Sequence, residues 1–281
     1  MALLPAMPNM RLPFTKMQGL GNDFVVVRAN GMAPPDAAMI RALADRKTGI
    51  GFDQLLWLEK PRIPGAAVFY RVFNSDGGEA EQCGNGARCI AQLIGGGPGR
   101  TLVLQHRSGC SRAHLERNGL VSVEIAVPQF DPAQVPFIAE REEPSYPLKV
   151  KNRLVDLRVV SVGNPHGVVR VEDVDSAPVG LLGPELECHE RFPNRANIGF
   201  MQVLDREHVR LRVHERGVGE TRAGGTGACA AVVVGARAGW LADRVNVSLP
   251  GGELVVRWEG PGTPVRLTGE AVSVFEGTVE I

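Results

Sequence analysis

The run Cys83-Gly84-Asn85-Gly86-Ala87 returns in the second half of the chain as Gly224-Gly225-Thr226-Gly227-Ala228. In both copies, a run typical of a β-strand leads into a glycine-rich turn, and a helix of small residues follows the turn. Because the chain contains 34 glycines, one such coincidence could arise by chance. A duplicated fold requires further matches in the same order and at the same spacing.

Three pairs of polar residues supply these matches, because each pair keeps nearly the same offset and the same order along the chain. Asn74 lies nine residues ahead of Cys83, and Glu215 lies nine residues ahead of Gly224. The repeat therefore predicts two homologous lobes. The pairs are Asn22 with Asn164, Gln54 with Asn197, and Asn74 with Glu215.

Two prolines, Pro128 and Pro132, interrupt the pattern between the copies, so the lobe boundary is placed just ahead of them. The first lobe is expected to span residues 11–127, and the second lobe is expected to span residues 128–270. The last segment, 271–281, has no counterpart at the end of the first lobe and is expected to complete that lobe.

Short runs rich in β-branched and aromatic residues dominate the chain, from Phe24–Val27 to Val272–Phe275. Helical periodicity is confined to three segments, and Asp36 is placed to cap the first of them. The predicted fold class is therefore α/β in content and strand-rich, of the α+β kind. The predicted helices are Asp36–Lys47, Asn85–Ile94 and Thr226–Ala238.

The composition is that of a globular protein without a dominant charge. The formal net charge of the 281 residues is +0, so no global field favours nucleic acid or an anionic membrane. The five cysteines are sparse and odd in number, which argues for the reducing cytoplasm. They lack the Cys-x-x-Cys spacing of a zinc site, so no metal is expected. Residues 1–10 are expected to form a loose leader.

The first glycine-rich module can make Cys83 a reactive thiolate. Backbone N–H groups at the start of a helix point toward the turn, and the helix dipole adds partial positive charge there. Such a place binds a carboxylate and lowers the pKa of a thiol from about 8.5 toward neutrality. Cys83 is therefore the candidate acid/base residue, whereas Cys89 lies on a helix face that is predicted to be buried.

The second module keeps the anion-binding turn but has Gly224 where the first module has its thiol. Two such turns would bind one carboxylate, and a thiol on each would flank the neighbouring carbon. That arrangement removes a proton from one face of a Cα and returns one to the other, with no cofactor. A phosphate-binding loop is a weaker interpretation, because the Gly-Lys-Ser/Thr ending and the acidic residue of dinucleotide sites are missing.

Other polar residues are predicted to lie at strand ends and turns around the two modules. Amide side chains there can bind a zwitterion through donors and acceptors without fixed charge. Arg216 can bind a carboxylate bidentately, and Glu215 can bind an ammonium group. The amides are Asn22, Gln54, Asn74, Asn164 and Asn197.

Six runs of the chain, taken together and in order, resemble diaminopimelate epimerases from about Leu12 to Ile281. The resemblance implies two pseudo-symmetric lobes, each a mixed β-barrel-like sheet around a central helix. It also implies a homodimer with Phe275 as an aromatic residue of the interface. The runs are Lys16-Met17-Gln18-Gly19-Leu20-Gly21-Asn22-Asp23-Phe24, Phe73-Asn74-Ser75-Asp76-Gly77, Gln82-Cys83-Gly84-Asn85-Gly86-Ala87-Arg88-Cys89, Gly163-Asn164-Pro165-His166-Gly167, Ala196-Asn197-Ile198-Gly199 and Glu215-Arg216-Gly217-Val218-Gly219-Glu220-Thr221.

The resemblance implies an isomerase, independent of pyridoxal or any other cofactor, that epimerises LL-diaminopimelate to meso-diaminopimelate for lysine and peptidoglycan synthesis. It implies that Cys83 is one acid/base thiol and that His166 and Glu215 tune the thiol pKa values. The small-molecule substrate is the partner that it implies, together with a second copy of the chain. The implied substrate-binding residues are Asn22, Gln54, Asn74, Gly84, Asn85, Asn164, Asn197, Glu215, Arg216, Gly225 and Thr226.

The chain departs from the family pattern at Gly224, where the resemblance implies a second catalytic cysteine. A glycine side chain cannot exchange a proton, and Cys229 lies more than a helical turn beyond the first amides of the predicted helix. The family's reaction is therefore expected to be impaired. Two alternatives stay open: a one-base amino-acid lyase or dehydratase of the same fold, and a non-catalytic amino-acid-binding protein.

Overall fold

A computed structural model describes residues 11–80 and 83–281 of the chain. The expected leader, residues 1–10, and residues 81–82 of the first module lie outside the described residues. The chain divides into two compact units, called unit 1 and unit 2 below. Unit 1 comprises residues up to Gly19, Asp23–Leu115 and Ala271–Ile281, and unit 2 comprises Leu20–Asn22 and Glu116–Glu270.

Strands outnumber helices in the described residues. The helices are α1 (Ala37–Ala44), α2 (Gly84–Ile94), α3 (Val179–Glu187) and α4 (Gly225–Arg237). The strands are β1 (Arg11–Gly19), β2 (Asn22–Arg28), β3 (Gln54–Glu59), β4 (Val68–Asn74), β5 (Glu79–Ala80), β6 (Thr101–His106), β7 (Gly109–Leu115), β8 (Val121–Glu124), β9 (Tyr146–Val150), β10 (Arg153–Ser161), β11 (Pro165–Val171), β12 (Asn197–Val203), β13 (His208–Glu215), β14 (Gly219–Thr221), β15 (Arg244–Leu249), β16 (Gly252–Arg257), β17 (Arg266–Gly269) and β18 (Val272–Glu280).

Unit 1 contains a mixed sheet. Strands β2 and β3 are parallel, and β3 and β4 are antiparallel. Strand β4 then pairs with β5 in an antiparallel fashion and with β6 in a parallel fashion, and β6 and β7 form an antiparallel hairpin. Helix α2 packs against β1, β6, β7 and β18, and seven of its residues, from Asn85 to Ala91, are buried.

Unit 2 repeats the same pairing order. Strands β11 and β12 are parallel, β12 and β13 are antiparallel, and β13 pairs with β14 in an antiparallel fashion. Strand β13 also runs parallel to β15, which forms an antiparallel hairpin with β16. Helix α4 packs against β10 to β13, β16 and β17, and its residues from Gly227 to Gly235 are buried. The strand-rich, mixed α+β fold class is confirmed.

Strands β18 and β8 each pair with a strand that is distant in the sequence. Strand β18 pairs with β1 in unit 1, in the position that β9 takes beside β10 in unit 2. Strand β8 pairs with β17 in unit 2. The chain therefore divides at Leu115 and Glu116 rather than at the expected 127 and 128, because the β8–β17 pairing assigns β8 to unit 2.

Helix α3 was not foreseen in the sequence, where only three helices were predicted. It contains Pro184 and two glycines, all of which lower helix propensity. Buried Leu182 and Leu186 pack in a core that includes Phe200 of β12. This burial stabilises the helix despite its weak propensity. By contrast, α1 begins where predicted, because the Asp36 carboxylate accepts a hydrogen bond from the backbone N–H of Met39 at 2.8 Å.

None of the described helices is both long enough and apolar enough to cross a membrane.

Candidate active site

Cys83 is the N-cap residue of α2 in unit 1. Its backbone is extended, with φ −143° and ψ 116°, and its Sγ accepts a hydrogen bond from the backbone N–H of Gly86 at 3.4 Å. A sulfur that accepts an N–H at a helix N-terminus is stabilised as a thiolate. The side chain is half-buried, whereas Cys89 in the same helix and Cys229 in α4 are fully buried. Cys83 therefore has the setting of a reactive thiol.

Two glycines at equivalent positions let each helix start lie close to a strand of its own unit. A Cβ on Gly86 would lie 3.0 Å from Cδ2 of Leu56 on β3, and a Cβ on Gly227 would lie 2.8 Å from Cγ2 of Val213 on β13. Because side chains in a protein core are close-packed, a larger residue at either position would push the helix start away from its strand. These glycines therefore fix the height of each glycine-rich turn above its sheet.

Gly224 is the N-cap residue of α4 and the counterpart of Cys83 in unit 2. No side chain caps this helix start. The backbone, with φ −61° and ψ 83°, lies near the inverse γ-turn conformation that residues with side chains also adopt. A Cβ built on Gly224 would lie 3.1 Å from Oε1 of Glu215 and 3.1 Å from Cβ of Val213, so modest shifts would accommodate a side chain.

Glu215 ends β13, and its carboxylate lies beside the helix start at Gly224. The hydroxyl of Thr221, on the paired strand β14, donates a hydrogen bond to Oε1 of Glu215 at 2.6 Å. The same oxygen is the one closest to a side chain at position 224. Thr221 therefore holds a carboxylate oxygen beside Gly224, the residue of the second module that corresponds to Cys83.

Gln54 and Asn74 face each other across the antiparallel strands β3 and β4. The side-chain amide of Gln54 donates from Nε2 to Oδ1 of Asn74 at 2.9 Å. The other end of that side chain, Oε1 of Gln54, is buried, and none of the described residues donates to it. A buried acceptor without a donor costs about 1–3 kcal/mol, so this oxygen is suited to an N–H group of a ligand.

Asn197 in unit 2 holds the backbone that leads to Arg216. Its Oδ1 accepts the backbone N–H of Arg216 at 3.0 Å, and its Nδ2 donates to the carbonyl oxygen of Pro165 at 3.2 Å. The guanidinium of Arg216 in turn donates from Nη1 to the carbonyl oxygen of Asn194 at 3.1 Å. Two hydrogen bonds therefore hold Arg216 in unit 2, and a third anchors Asn197.

His166 is almost fully buried and lies beside Asn164. Its Nε2 is 3.0 Å from Oδ1 of Asn164, which assigns the ring proton to Nε2, and Nδ2 of Asn164 donates to Oγ1 of Thr226 at 3.5 Å. Burial, with a smaller effect from the positive charge of Arg216, lowers the pKa of His166 to about 3. His166 is therefore neutral at physiological pH, so its influence on any nearby thiol would be through hydrogen bonding rather than charge.

The remaining residues that the resemblance implies lie at the starts of their elements. Asn22 is the first residue of β2, and Gly84 and Asn85 are the first two residues of α2. Gly225 and Thr226 are the first two residues of α4. The backbone N–H groups of these four helical residues belong to the first turns of α2 and α4, and carboxylates bind at such turns.

A charged network that the sequence analysis missed fixes the strand starts around Asn22 and Gln54. Asp23 and Asp53 exchange hydrogen bonds, since the backbone N–H of each donates to the other's carboxylate at 3.1 Å. The Arg46 guanidinium donates to both carboxylates, at 2.7 Å to Asp23 and 2.8 Å to Asp53. The ammonium of buried Lys16 donates to Asp23 at 2.5 Å and also to the carbonyl oxygen of Gly51.

Asp23→Asn is expected to lower the free energy of unfolding at pH 7 by about 3 kcal/mol, because Lys16 would be left buried without its counter-charge. Burial alone would raise the pKa of Asp23, but hydrogen bonds and charges from Arg46 and Lys16 outweigh it and hold the pKa well below its usual value of 3.8. The free energy by which Asp23 stabilises the native chain is therefore fully present above pH 3.8 and decreases as the pH falls below 3.8. Urea unfolding from pH 7 to pH 3 measures this difference.

The matched control for Asp23→Asn is Asp156→Asn, since the Asp156 carboxylate is exposed and forms an ion pair with half-buried Arg158. An ion pair at the surface contributes about 0–1 kcal/mol, so this variant should unfold nearly as the native chain does. A difference between Asp23→Asn and the native chain that stays constant down to pH 3 would contradict the assignment.

A second network that the sequence analysis missed holds the turn after β13. Glu187 on α3 accepts the backbone N–H of Gly217 at 2.9 Å through Oε1, and its Oε2 is 2.9 Å from Nε2 of buried His214. The guanidinium of Arg195 lies 3.5 Å from Oε1 of Glu187. Because His214 and Gly217 flank Glu215 and Arg216, Glu187 fixes the backbone that carries both. The repeat could have pointed to this helix, because its offset makes the start of α3 equivalent to the start of α1.

Comparison with known proteins identifies relatives over nearly the whole chain. A family model described as diaminopimelate epimerase matches residues 14–129 and again residues 158–274. The diaminopimelate epimerase of Pseudomonas aeruginosa (strain LESB58) is 52% identical over 276 residues, covering 97% of this chain and 100% of the relative. That of Nitrosomonas europaea is also 52% identical over 276 residues, with the same coverage.

Among solved structures, a hydroxyproline epimerase from Agrobacterium vitis has the same fold, with a TM-score of 0.70 at 15% sequence identity, covering 96% of this chain and 93% of that one. The two matched segments of the family model correspond to the two runs of equivalent strands and helices. On the identity, the coverage and the fold together, the chain belongs to the diaminopimelate epimerase family.

Proposed function

We propose that this chain epimerises LL-diaminopimelate to meso-diaminopimelate by acid/base chemistry without a cofactor, at a rate lowered by Gly224. Membership of the family makes the chain an isomerase of the epimerase kind. The observation that carries the proposal is Cys83 at the N-terminus of α2, where its sulfur accepts the N–H of Gly86. The lowered rate follows from the absence of a thiol at the equivalent N-terminus of α4.

The chemical difficulty of the reaction is a carbanion next to a carboxylate. A thiolate at Cys83 takes the proton from Cα, and the electron pair that remains is delocalised into the substrate carboxylate. Backbone N–H groups of Gly84 and Asn85, and those of Gly225 and Thr226, would donate to that carboxylate. Donors fixed in position before the reaction stabilise such developing charge, an effect worth several kcal/mol in enzymes.

Polar side chains would recognise the rest of the substrate. Gln54 supplies a buried acceptor at Oε1 for an ammonium or amide N–H, and His166 supplies one at Nδ1, since no described residue donates to either atom. Glu215 carries negative charge for an ammonium, and Arg216 carries positive charge for a carboxylate. This balance of charges matches a zwitterion with two amino and two carboxyl groups. Asn22, Asn74, Asn164 and Asn197 would complete the recognition.

The test follows each diaminopimelate stereoisomer in D₂O with the purified native chain. Proton NMR reports loss of the α-proton, and chiral chromatography reports the stereochemistry of the product. The expected result is deuterium at Cα together with slow interconversion of the LL and meso forms. The two alternatives give different results, because a lyase or dehydratase releases an unsaturated or keto product. A binding protein shows saturable binding without exchange, and either outcome would overturn the proposal.

We also propose that the chain forms a homodimer through β18 and that it is located in the cytoplasm. Phe275 is 49% exposed, a large fraction for an aromatic residue, and its ring packs edge-on against Phe14 with centroids 6.0 Å apart. Val272 and Val274 of the same strand are also exposed. Several large apolar side chains exposed on one strand are typical of a protein–protein interface. All five cysteines lie within the described residues and none forms a disulfide, which agrees with a reducing compartment.

Phe275→Glu is expected to convert the dimer to a monomer, because a charge at the centre of an apolar interface would be desolvated without a partner. Analytical ultracentrifugation over a range of concentrations measures the change. The matched control is Leu154→Glu, since Leu154 is an exposed apolar residue on a different strand, β10, and this variant should remain dimeric. A native chain that sediments as a monomer at high micromolar concentration would exclude the dimer.

A further inference from the structure

The geometry points to Glu215 as the second acid/base residue of this chain, in the role that a thiol at position 224 would otherwise fill. This inference rests on the proposed function and names the group that shares proton transfer with Cys83. It concerns proton transfer to and from Cα, beyond the recognition of an amino group. Three observations support it.

The first observation is proximity. The Oε1 atom of Glu215 lies 3.1 Å from the point where a Cβ would stand on Gly224. The other atoms nearest that point belong to Val213, whose side chain cannot exchange a proton. The glycine therefore leaves a carboxylate oxygen beside the space that a longer side chain would occupy.

The second observation is orientation. The hydroxyl of Thr221 donates to the same oxygen at 2.6 Å, so this oxygen is held beside position 224. The backbone that carries Glu215 is itself fixed, because Glu187 accepts the N–H of Gly217 and Asn197 accepts the N–H of Arg216. Proton transfer requires this kind of fixed placement of the acid or base.

The third observation comes from the repeat. The residue nine positions ahead of each helix N-cap is Asn74 in unit 1 and Glu215 in unit 2. Unit 1 therefore pairs an amide with a thiol, whereas unit 2 pairs a carboxylate with a glycine. Each module retains one group that can exchange a proton, and in unit 2 that group is Glu215.

The proton balance is closed in both directions. With one stereoisomer, Cys83 thiolate takes the Cα proton, the electron pair passes into the substrate carboxylate, and the protonated carboxyl of Glu215 returns a proton to Cα. With the other stereoisomer, Glu215 carboxylate takes the proton and the Cys83 thiol returns one. No oxidant, reductant or further reactant is needed, and solvent resets the two protonation states after each turnover.

The test measures α-proton exchange in D₂O for each stereoisomer separately. In the native chain both stereoisomers should exchange. Cys83→Ala should slow exchange about 10²-fold or more for one stereoisomer and leave the other near its native rate. Glu215→Gln should give the opposite pattern: the stereoisomer that Cys83→Ala spares should lose about 10²-fold more than the other, which loses only what weaker binding of the ammonium costs.

A role for Glu215 in binding alone predicts different results. Glu215→Gln would then slow both stereoisomers by the same factor, or the native chain would exchange only the stereoisomer that depends on Cys83, and either result overturns the inference. The exchange experiment on Cys83→Ala leaves Glu215 in place, so it tests the inference even if Glu215→Gln does not fold. Absence of exchange from either stereoisomer in the native chain and in Gly224→Cys would instead contradict the proposed function itself.

A double-mutant comparison separates the two roles further. In the Gly224→Cys background a thiol takes over the proton transfer, so Glu215→Gln should lower epimerisation much less there than in the native chain. Equal fold-losses in the two backgrounds would assign Glu215 to binding only.

Discussion

Gly224→Cys is expected to raise the rate of epimerisation about 10²-fold, the lower end of the usual contribution of a general acid or base, because Glu215 already takes part in proton transfer. The backbone at this position accepts a side chain, since φ is −61°. The new Cβ would lie 3.1 Å from Glu215 Oε1 and 3.1 Å from Val213, contacts that small movements relieve. Its sulfur would stand at the N-terminus of α4, where a thiolate is stabilised. Initial rates of interconversion between the LL and meso forms measure the change.

The matched control for this variant is Gly224→Ala, which adds the same Cβ without a sulfur. It should be no faster than the native chain, and if Glu215 works through the space beside Gly224 it should be slower. If alanine and cysteine raised the rate equally, the gain would come from a more rigid start of α4 and not from a new base. A cysteine variant that does not interconvert the LL and meso forms would favour the lyase or the binding protein.

Local sequence signals predicted the elements that carry the glycine-rich modules. Helix α2 runs from Gly84 to Ile94, against a predicted Asn85–Ile94, and α4 runs from Gly225 to Arg237, against a predicted Thr226–Ala238. These predictions succeed because the signals for strand, glycine turn and small-residue helix each lie within a few residues of one another. The same local signals place Cys83 and Gly224 at helix starts.

Helix α3 shows where local signals fail. Its segment contains Pro184 among glycines, which argues against a helix, yet Leu182 and Leu186 pack in the core of unit 2. Tertiary packing overrides propensity here. The repeat offers the missing signal, because α1 begins at Ala37 and α3 begins at Val179, positions that the repeat offset makes equivalent.

Local sequence patterns also could not predict which distant strands pair with each other. The β8–β17 pairing shifts the observed division of the chain to Leu115, and it joins segments that lie near the two ends of the sequence of unit 2. Likewise, the hydrogen bonds of Lys16, Asp23 and Arg46 join three separate segments. Periodicity describes how one segment presents its faces, and it contains no information on which remote segment lies opposite.

Cys83→Ser is expected to lower epimerisation about 10³-fold while leaving the fold intact, a loss within the usual range for a general acid or base. Serine is a favoured N-cap residue, so its hydroxyl can take over the hydrogen bond that the Cys83 sulfur accepts from Gly86. A serine hydroxyl is a far weaker acid than a thiol, so little alkoxide is present to take the Cα proton. The loss is best measured in the Gly224→Cys background, where the starting rate is higher.

The matched control for Cys83→Ser is Cys110→Ser, because Cys110 is an exposed cysteine of the same unit, on β7. Its rate should stay within about twofold of the parent, since surface substitutions away from a site rarely matter. Circular dichroism and thermal unfolding of both variants should match the parent, which separates loss of the base from loss of the helix cap. If Cys83→Ser retained the parent's rate with its fold intact, the Cα proton would have to leave through another group. The thiol at the N-terminus of α2 would then serve only to cap the helix.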